Sequence, residues 1–345
     1  MTDSALPKNL PAPRLVDPAS VPVLRWGVIG AGEIAKVFVG AVQQHSKQNI
    51  VAVASRTTGK AEEFAAEFGL ESHENYEDLL ARTDIDAIYI ATLPSQHRDH
   101  ALMAIDAGKH VLIEKPVALK VAEAAEIFAA AKAAKVLAME AMWTRYLPQY
   151  DIARQLIEAG AIGQPEMLNA VFASRNYHVA RLWTKNFGDP MFDMGIYLIA
   201  LAQDLMGNPV NVTAHGKLNA DGIDEEISIW LDYANGGRAH LLLSAIATAP
   251  LTATLSGSVG HLQFGHPFIA PGSITLAGND FYFETASWQN STGIFGHEGL
   301  SIQANFFAKY VAEGLGESPL QSHADSLANL EVCAEIVRQI GAQIF

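Results

Sequence analysis

One cysteine, Cys333, supplies all the thiol chemistry in 345 residues. A single thiol closes no internal disulfide and builds no cysteine-rich zinc site, so disulfide-framed scaffolds are excluded and a reducing cytoplasm is the expected home. Basic side chains are also scarce. The chain has 23 Lys and Arg against 37 Asp and Glu, a formal charge of -14, which opposes a polyanionic duplex and argues against nucleic acid as a partner. No stretch reaches the roughly 18 uninterrupted apolar residues of a membrane helix. The first 22 residues carry five prolines and no apolar run, unlike a secretory signal; they read as an extended arm. Metal chemistry lacks its signatures too: no HExxH or Cys cluster accompanies His97 and His100, whose spacing suits a helix surface.

What is present is a hydrophobic, ordinary globular composition, 50% apolar and 17% charged, long enough for about two domains at ~150 residues each. From residue 24 to about 142, short β-branched runs alternate with helical periods, the pattern of a parallel sheet with crossover helices. Strands are predicted at 24–29, 50–55, 86–92, 110–114 and 136–140, with helices at 33–45, 59–68, 96–107 and 120–134. After a helix at about 146–159, the stretch 166–285 alternates like antiparallel strands, with Asn235-Gly236 as a hairpin turn. Helices at about 299–314 and 322–341 close the chain. The expected fold is α/β: a doubly wound parallel sheet, followed by an α+β domain on a large, mostly antiparallel open sheet.

The first strand runs into Gly30-x-Gly32-x-x-Ala35. Gly30 permits the tight turn, Gly32 lets backbone approach a pyrophosphate, and Ala35 lets the helix pack closely; backbone N–H groups at Glu33 and Ile34 would then face phosphate. Glycine turns also join strands to helices with no ligand, so the alternation around this one carries the reading. After the second strand, where an NAD enzyme presents an acid to the ribose, the chain has Ser55, Arg56, Thr57, Thr58 and then Lys60. These groups suit a 2′-phosphate and favour NADP over NAD. The alternative is a solvated Arg56 with NAD as cofactor.

Two further clusters carry chemistry. Ligands in such sheets lie beyond the carboxyl ends of the strands, where Thr92-Leu93-Pro94 and Glu114-Lys115-Pro116 fall. Proline at 116 restricts Lys115 to extended backbone. In "DPMFDMGIY", Asp189 suits an N-cap and Pro190 the first helical position, leaving Asp193 and Tyr197 four apart on one face. That pair is either an acid/base constellation or an ordinary helix start with a core tyrosine.

Together the glycine turn, Glu114-Lys115-Pro116, "MEAMWTRYLP" (139–148) and Asp193-Met194-Gly195-Ile196-Tyr197 resemble the glucose-fructose oxidoreductase/inositol dehydrogenase (Gfo/Idh/MocA) family from about residue 23 to 342, in particular its dimeric dihydrodiol dehydrogenase and NADP-dependent D-xylose dehydrogenase branch. The resemblance implies an arm (1–22), a Rossmann domain (23–143) and an α+β domain (144–345) for substrate and dimerisation. It implies that Lys115 touches nicotinamide and substrate, that Tyr197 holds the acid/base place, and that Asp193 orients the pair. Ser55 and Arg56 would contact the adenosine phosphate. Thr92, Leu93, Pro94 and His97 would lie toward the nicotinamide ribose, with Glu114, Trp143, Arg145 and Arg181 also on the cofactor side. One departure is Phe187-Gly188-Asp189-Pro190, where relatives often carry a glycine triplet; it implies a reshaped cleft floor. The implied activity is hydride transfer between a nicotinamide and a sugar, polyol or trans-diol in a homodimer or higher homo-oligomer. The alternatives are an NAD-dependent glycosidase with transient oxidation and a non-catalytic cofactor-binding protein.

Overall fold

The alternation read in the first 142 residues becomes a 6-stranded parallel sheet in the computed structural model, which describes residues 9–184, 189–280 and 284–342. Its strands are β1 (Arg25–Ile29), β2 (Asn49–Ala54), β3 (Glu71–His73), β4 (Ala87–Ile90), β5 (His110–Glu114) and β6 (Ala138–Ala141), joined by α1 (Glu33–His45), α2 (Lys60–Phe68), α3 (Tyr76–Leu80), α4 (His97–Asp106) and α5 (Val121–Ala134). β1, β4 and β5 are buried along almost every residue, which is why they read as continuous apolar runs rather than alternating ones. The spatial order is β3-β2-β1-β4-β5-β6. The order therefore reverses between β1 and β4, the place beyond whose carboxyl ends such sheets bind their ligands.

Two elements of this sheet escape the sequence pattern, β3 and α3. β3 is three residues long and carries Glu71, Ser72 and His73 with no buried apolar side chain, so no hydrophobic signal marks it. α3 is one short turn capped by Asn75, whose side chain accepts the Asp78 N–H at 2.8 Å.

The other sheet is 8-stranded, ordered β14-β13-β12-β11-β7-β10-β9-β8. Its strands are β7 (Pro165–Ala173), β8 (Asn211–Leu218), β9 (Asp224–Asp232), β10 (Arg238–Ser244), β11 (Ala253–Gly257), β12 (Gly260–Phe264), β13 (Ser273–Gly278) and β14 (Thr285–Gln289). β7 and β10 pair in parallel while the remaining neighbours are antiparallel. Strict alternation gives one face to the core: Ile227, Ile229 and Leu231 of β9 are buried, whereas Trp230 is 48% exposed. The β9–β10 hairpin turns where predicted. Only Gly236 takes a positive φ, +85°, and Asn235 contributes its side chain by accepting the Gly237 N–H at 3.0 Å.

The remaining helices are α6 (Pro148–Glu158), α7 (Ile196–Met206), α8 (Leu300–Ala312) and α9 (His323–Ile340). The chain forms two compact units. One is Leu15–Tyr146 with Gly296–Leu330; the other is built on Leu147–Phe295 and takes in the chain up to Arg14 and from Glu331 on. The division does not follow a single cut at residue 144. α8 returns to the parallel-sheet unit because Phe307 packs on Trp26, ring centres 4.6 Å apart, and Asn305 Oδ1 accepts from Ser46 Oγ at 2.6 Å. Within the Pro-rich stretch, Arg14 pairs with Asp151 of α6, in the same unit, at 2.8 Å.

Candidate active site

The glycine turn after β1 has the shape that a pyrophosphate requires. Gly30 sits at φ +104° and a Cβ there would lie 2.7 Å from the Ala91 carbonyl oxygen, so conformation and space both demand glycine. At Gly32 an added Cβ would meet nothing within 4 Å, leaving open room before α1. Gly32 is the N-cap and no side chain caps that end, so the first N–H groups, at Glu33 and Ile34, remain available to an anion. Ala35 is fully buried. These features fit a dinucleotide.

Past β2, Ser55 is buried and its Oγ accepts the Thr57 N–H at 3.2 Å, shaping the loop. Arg56 and Lys60 are exposed. The Arg56 guanidinium lies 5.5 Å from the centre of the Tyr76 ring, and Tyr76 meets the His100 ring edge-on at 4.8 Å. His100 Nδ1 in turn lies 2.9 Å from Thr92 Oγ1. One line of contacts thus runs from the β2 loop to the end of β4. Burial first, then the Arg56 charge, pushes the His100 ring down to about 4, keeping it neutral at physiological pH.

At the exits of β4 and β5 the sequence-predicted residues gather. His97 is 1% exposed; its Nδ1 is 2.8 Å from the Pro116 carbonyl oxygen and its Nε2 3.0 Å from that of Thr92. Two carbonyl partners favour a charged ring, but burial and the Lys115 ammonium oppose the charge and push His97 down to about 4. Desolvation wins, and a neutral ring donates one proton. His97 and His100 are therefore not the helix-surface residues their spacing suggests. Among the described residues, no group of three or more His, Cys, Asp or Glu is arranged to hold a metal ion.

Glu114 is buried; Tyr89 Oη donates to its Oε1 and the Lys115 amide to its Oε2 at 3.1 Å. The Lys115–Pro116 peptide is cis. Leu93 caps a 3-10 turn, Pro94–Gln96. Trp143 and Arg145 are 2% and 4% exposed. Trp143 lies against His297, ring centres 5.6 Å apart, and Arg145 Nη1 reaches the Leu320 carbonyl at 3.4 Å. Burial and then the Lys115 charge push His297 downward. Nothing in the motif reading points to His297, because it follows the antiparallel strands by sequence yet belongs to the parallel-sheet unit.

In the other unit, Asp193 and Tyr197 stand where the chain enters α7. The entry is a π-turn, Met191–Gly195, in which the Ile196 N–H bonds to the Met191 carbonyl; such turns are rare and concentrate at functional sites. A Cβ at Gly195 would lie 2.7 Å from Met191 Sδ and 3.1 Å from Leu243 of β10, so a larger residue there would have to displace those side-chain ends. Tyr197 is 8% exposed and stacks on Phe172, 6.0 Å and 30°. Asp193 Oδ2 accepts from Arg181 at 3.0 Å. Phe187 and Gly188 lie outside the described residues.

The predicted cap at Asp189 is replaced. Asp189 offers its backbone carbonyl to Phe192 and Asp193, while the carboxylate accepting the Met191 N–H, at 2.9 Å, is that of Asp224 in β9. Asp224 is fully buried, and its Oδ1 has no hydrogen-bond partner among the described residues. Burial, then the nearby Asp189, push Asp224 up to about 7, and burial pushes Asp189 up to about 6. Both folded values lie above the ordinary 3.8, so the folded state binds these protons more tightly. Stability from the pair is present below about pH 4 and is lost as pH rises through 6 to 7. Asp224→Asn is expected to raise the melting temperature by about 2–4 °C at pH 8 and by clearly less at pH 5, closer to the unfolded value. Equal shifts at both pH values in calorimetry would show that the charge is not the cause.

The chain matches the model described as "Oxidoreductase family, NAD-binding Rossmann fold" over residues 24–142, and that of the GFO/IDH/MocA C-terminal domain over residues 150–263. It is 32% identical over 323 residues to the trans-1,2-dihydrobenzene-1,2-diol dehydrogenase of Xenopus tropicalis, covering 92% of this chain and 98% of that protein. The chain belongs to the Gfo/Idh/MocA family. The Mus musculus enzyme of the same name is 31% identical over 324 residues, 92% of this chain and 97% of that one. A levoglucosan dehydrogenase in complex with NADH and levoglucosan shares the fold, with TM-score 0.83 at 22% identity over 93% and 98% of the two chains. A 3-ketoreductase from Actinomadura kijaniata, in complex with TDP-benzene and NADP, gives TM-score 0.78 at 26% identity over 92% and 97%. This Gfo/Idh/MocA member is an NAD(P)-dependent oxidoreductase. No helix among its described residues is long and apolar enough to cross a membrane.

Proposed function

We propose that the protein is an NADP-preferring dehydrogenase that moves a hydride between the nicotinamide and a secondary alcohol or carbonyl of a cyclic sugar, polyol or trans-diol. The observation that carries this reading is Lys115 at the carboxyl end of β5, behind which Glu114 and His97 are buried. The full-length likeness to trans-dihydrodiol dehydrogenases supports the substrate class. When bound, the nicotinamide supplies the hydride acceptor or donor.

The chain's own residues do the remaining work. The turn at Gly30 and Gly32, with the N–H groups of Glu33 and Ile34, holds the pyrophosphate; Ser55, Arg56 and Lys60 hold the 2′-phosphate; Thr92, Leu93 and Pro94 border the ribose. Lys115 keeps its ammonium on the substrate hydroxyl oxygen, where negative charge develops as the proton leaves. Tyr197 takes that proton in oxidation and returns it in reduction. Asp193 orients the tyrosine, and Arg181 holds Asp193. The outer row of Trp230, His240 and Leu242, with Met167 alongside, supports a homodimer through the open sheet face.

A screen of pentoses, hexoses, inositols and trans-diols with NAD and NADP separately, read by nicotinamide absorbance, tests the activity. Absence of reduction with every alcohol, together with sugar cleavage and tightly held NAD, would replace this reading by transient-oxidation hydrolysis. Arg56→Glu is expected to lower kcat/KM with NADP by about 10- to 100-fold, the value of a charge-assisted hydrogen bond, and to change it little with NAD. An equal loss with both cofactors would remove Arg56 from phosphate recognition.

A further inference from the structure

We propose that Glu114, His97 and Glu140 are positioning residues for Lys115, three buried side chains from three elements that hold the Lys115 amide, the Pro116 carbonyl and the Val117 amide. The proposal rests on the reading of Lys115 given above and deepens it.

Beyond the end of a strand the backbone loses its ladder partners, and buried amide and carbonyl groups must be satisfied some other way. Loops usually solve this with water or with turn hydrogen bonds. Here three consecutive residues are served by ionisable side chains. Glu114 Oε2 accepts the Lys115 N–H at 3.1 Å, His97 Nδ1 lies 2.8 Å from the Pro116 carbonyl oxygen, and Glu140 Oε1 accepts the Val117 N–H at 3.0 Å. The three come from the end of β5, the start of α4 and the middle of β6. Their exposures are 5%, 1% and 1%.

Burying three ionisable groups in one place is costly unless each is fully bonded. Each carboxylate has a second anchor, and the imidazole a second close contact. Tyr89 Oη donates to Glu114. His97 Nε2 contacts the Thr92 carbonyl. Glu140 Oε2 accepts from Ser326 Oγ at 2.6 Å and from Gln321 Nε2 at 3.1 Å. The backbone that bears Lys115 is thereby tied to β4, to β6 and to the start of α9. The same imidazole lies between the Thr92 and Pro116 carbonyls, at the exits of two adjacent strands, and in its neutral form donates to one of them.

A lysine side chain is long and rotamer-rich, so it is held in place only if its backbone does not move; a misplacement of about 1 Å costs on the order of 10²-fold in rate. The variants are His97→Ala, His97→Gln and Glu140→Gln, with Lys115→Met as reference, all in the full chain. His97→Ala and Glu140→Gln are expected to lower kcat by about 10²-fold while the dissociation constant for NADPH, from fluorescence titration, stays within about threefold. His97→Gln, which keeps one donor, is expected to recover most of the His97→Ala loss. If His97→Ala does not fold, Glu140→Gln and His97→Gln carry the test.

Wild-type kcat in the positioning variants, with Lys115→Met inactive, would overturn the proposal. So would losses of kcat and NADPH affinity in step, without rescue by glutamine, because a merely structural role produces that pattern. Full turnover in Lys115→Met would instead overturn the role of Lys115 itself.

Discussion

Lys115→Met is expected to lower kcat by about 10³-fold, the upper range for removing one preorganised donor from developing oxyanion charge. Methionine keeps the length and apolar stem of lysine, and the backbone at 115 is held by Glu114 and by its neighbours' partners, so the loop retains its shape. The glycine turn lies on another strand and is untouched. NADPH should therefore still bind within about threefold, while the rate falls in both directions of the reaction. Equilibrium titration beside steady-state kinetics separates the two. A variant that lost cofactor binding and kept its rate at saturation would make Lys115 a cofactor anchor instead.

Tyr197→Phe removes one oxygen and preserves the stack on Phe172, so little change in melting temperature is expected. The loss in kcat is expected to be about 10²-fold or more, the usual contribution of a positioned acid/base. The pH-dependent limb of kcat/KM should flatten, because no phenol remains to exchange the substrate proton. The solvent isotope effect should shrink with it. Unaltered turnover and an unaltered pH profile would return Tyr197 to the apolar core, where it already lies at 8% exposure.

Much of the fold is legible in the sequence. The parallel sheet announced itself because β1, β4 and β5 are buried on both faces and read as apolar runs, and Gly30 could be assigned because positive φ and a blocked Cβ leave no other residue. The exits of β4 and β5 followed from topology alone. Other features were not legible, for identifiable reasons. β3 has no apolar side chain to mark it. The cap of the π-turn comes from Asp224, remote in sequence from Met191, and the residue in the local cap position, Asp189, supplies only its carbonyl. "HRDH" looks like a solvated helix start. His97 and His100 are nevertheless buried, because their partners, Pro116 and Thr92, lie on loops that the sheet brings together. Long-range satisfaction of polar groups leaves no periodic trace in sequence.

The return of Gly296–Leu330 to the parallel-sheet unit bears on how the protein is made. Phe307 covers Trp26, Asn305 bonds Ser46, and Glu298 lies 3.3 Å from His45, so α1 and β1 remain without a lid until Gly296–Leu330 has been translated. A gene fragment stopping at Tyr146 would leave a bare greasy flank. The nascent Rossmann half stays unfinished until that later segment has left the exit tunnel.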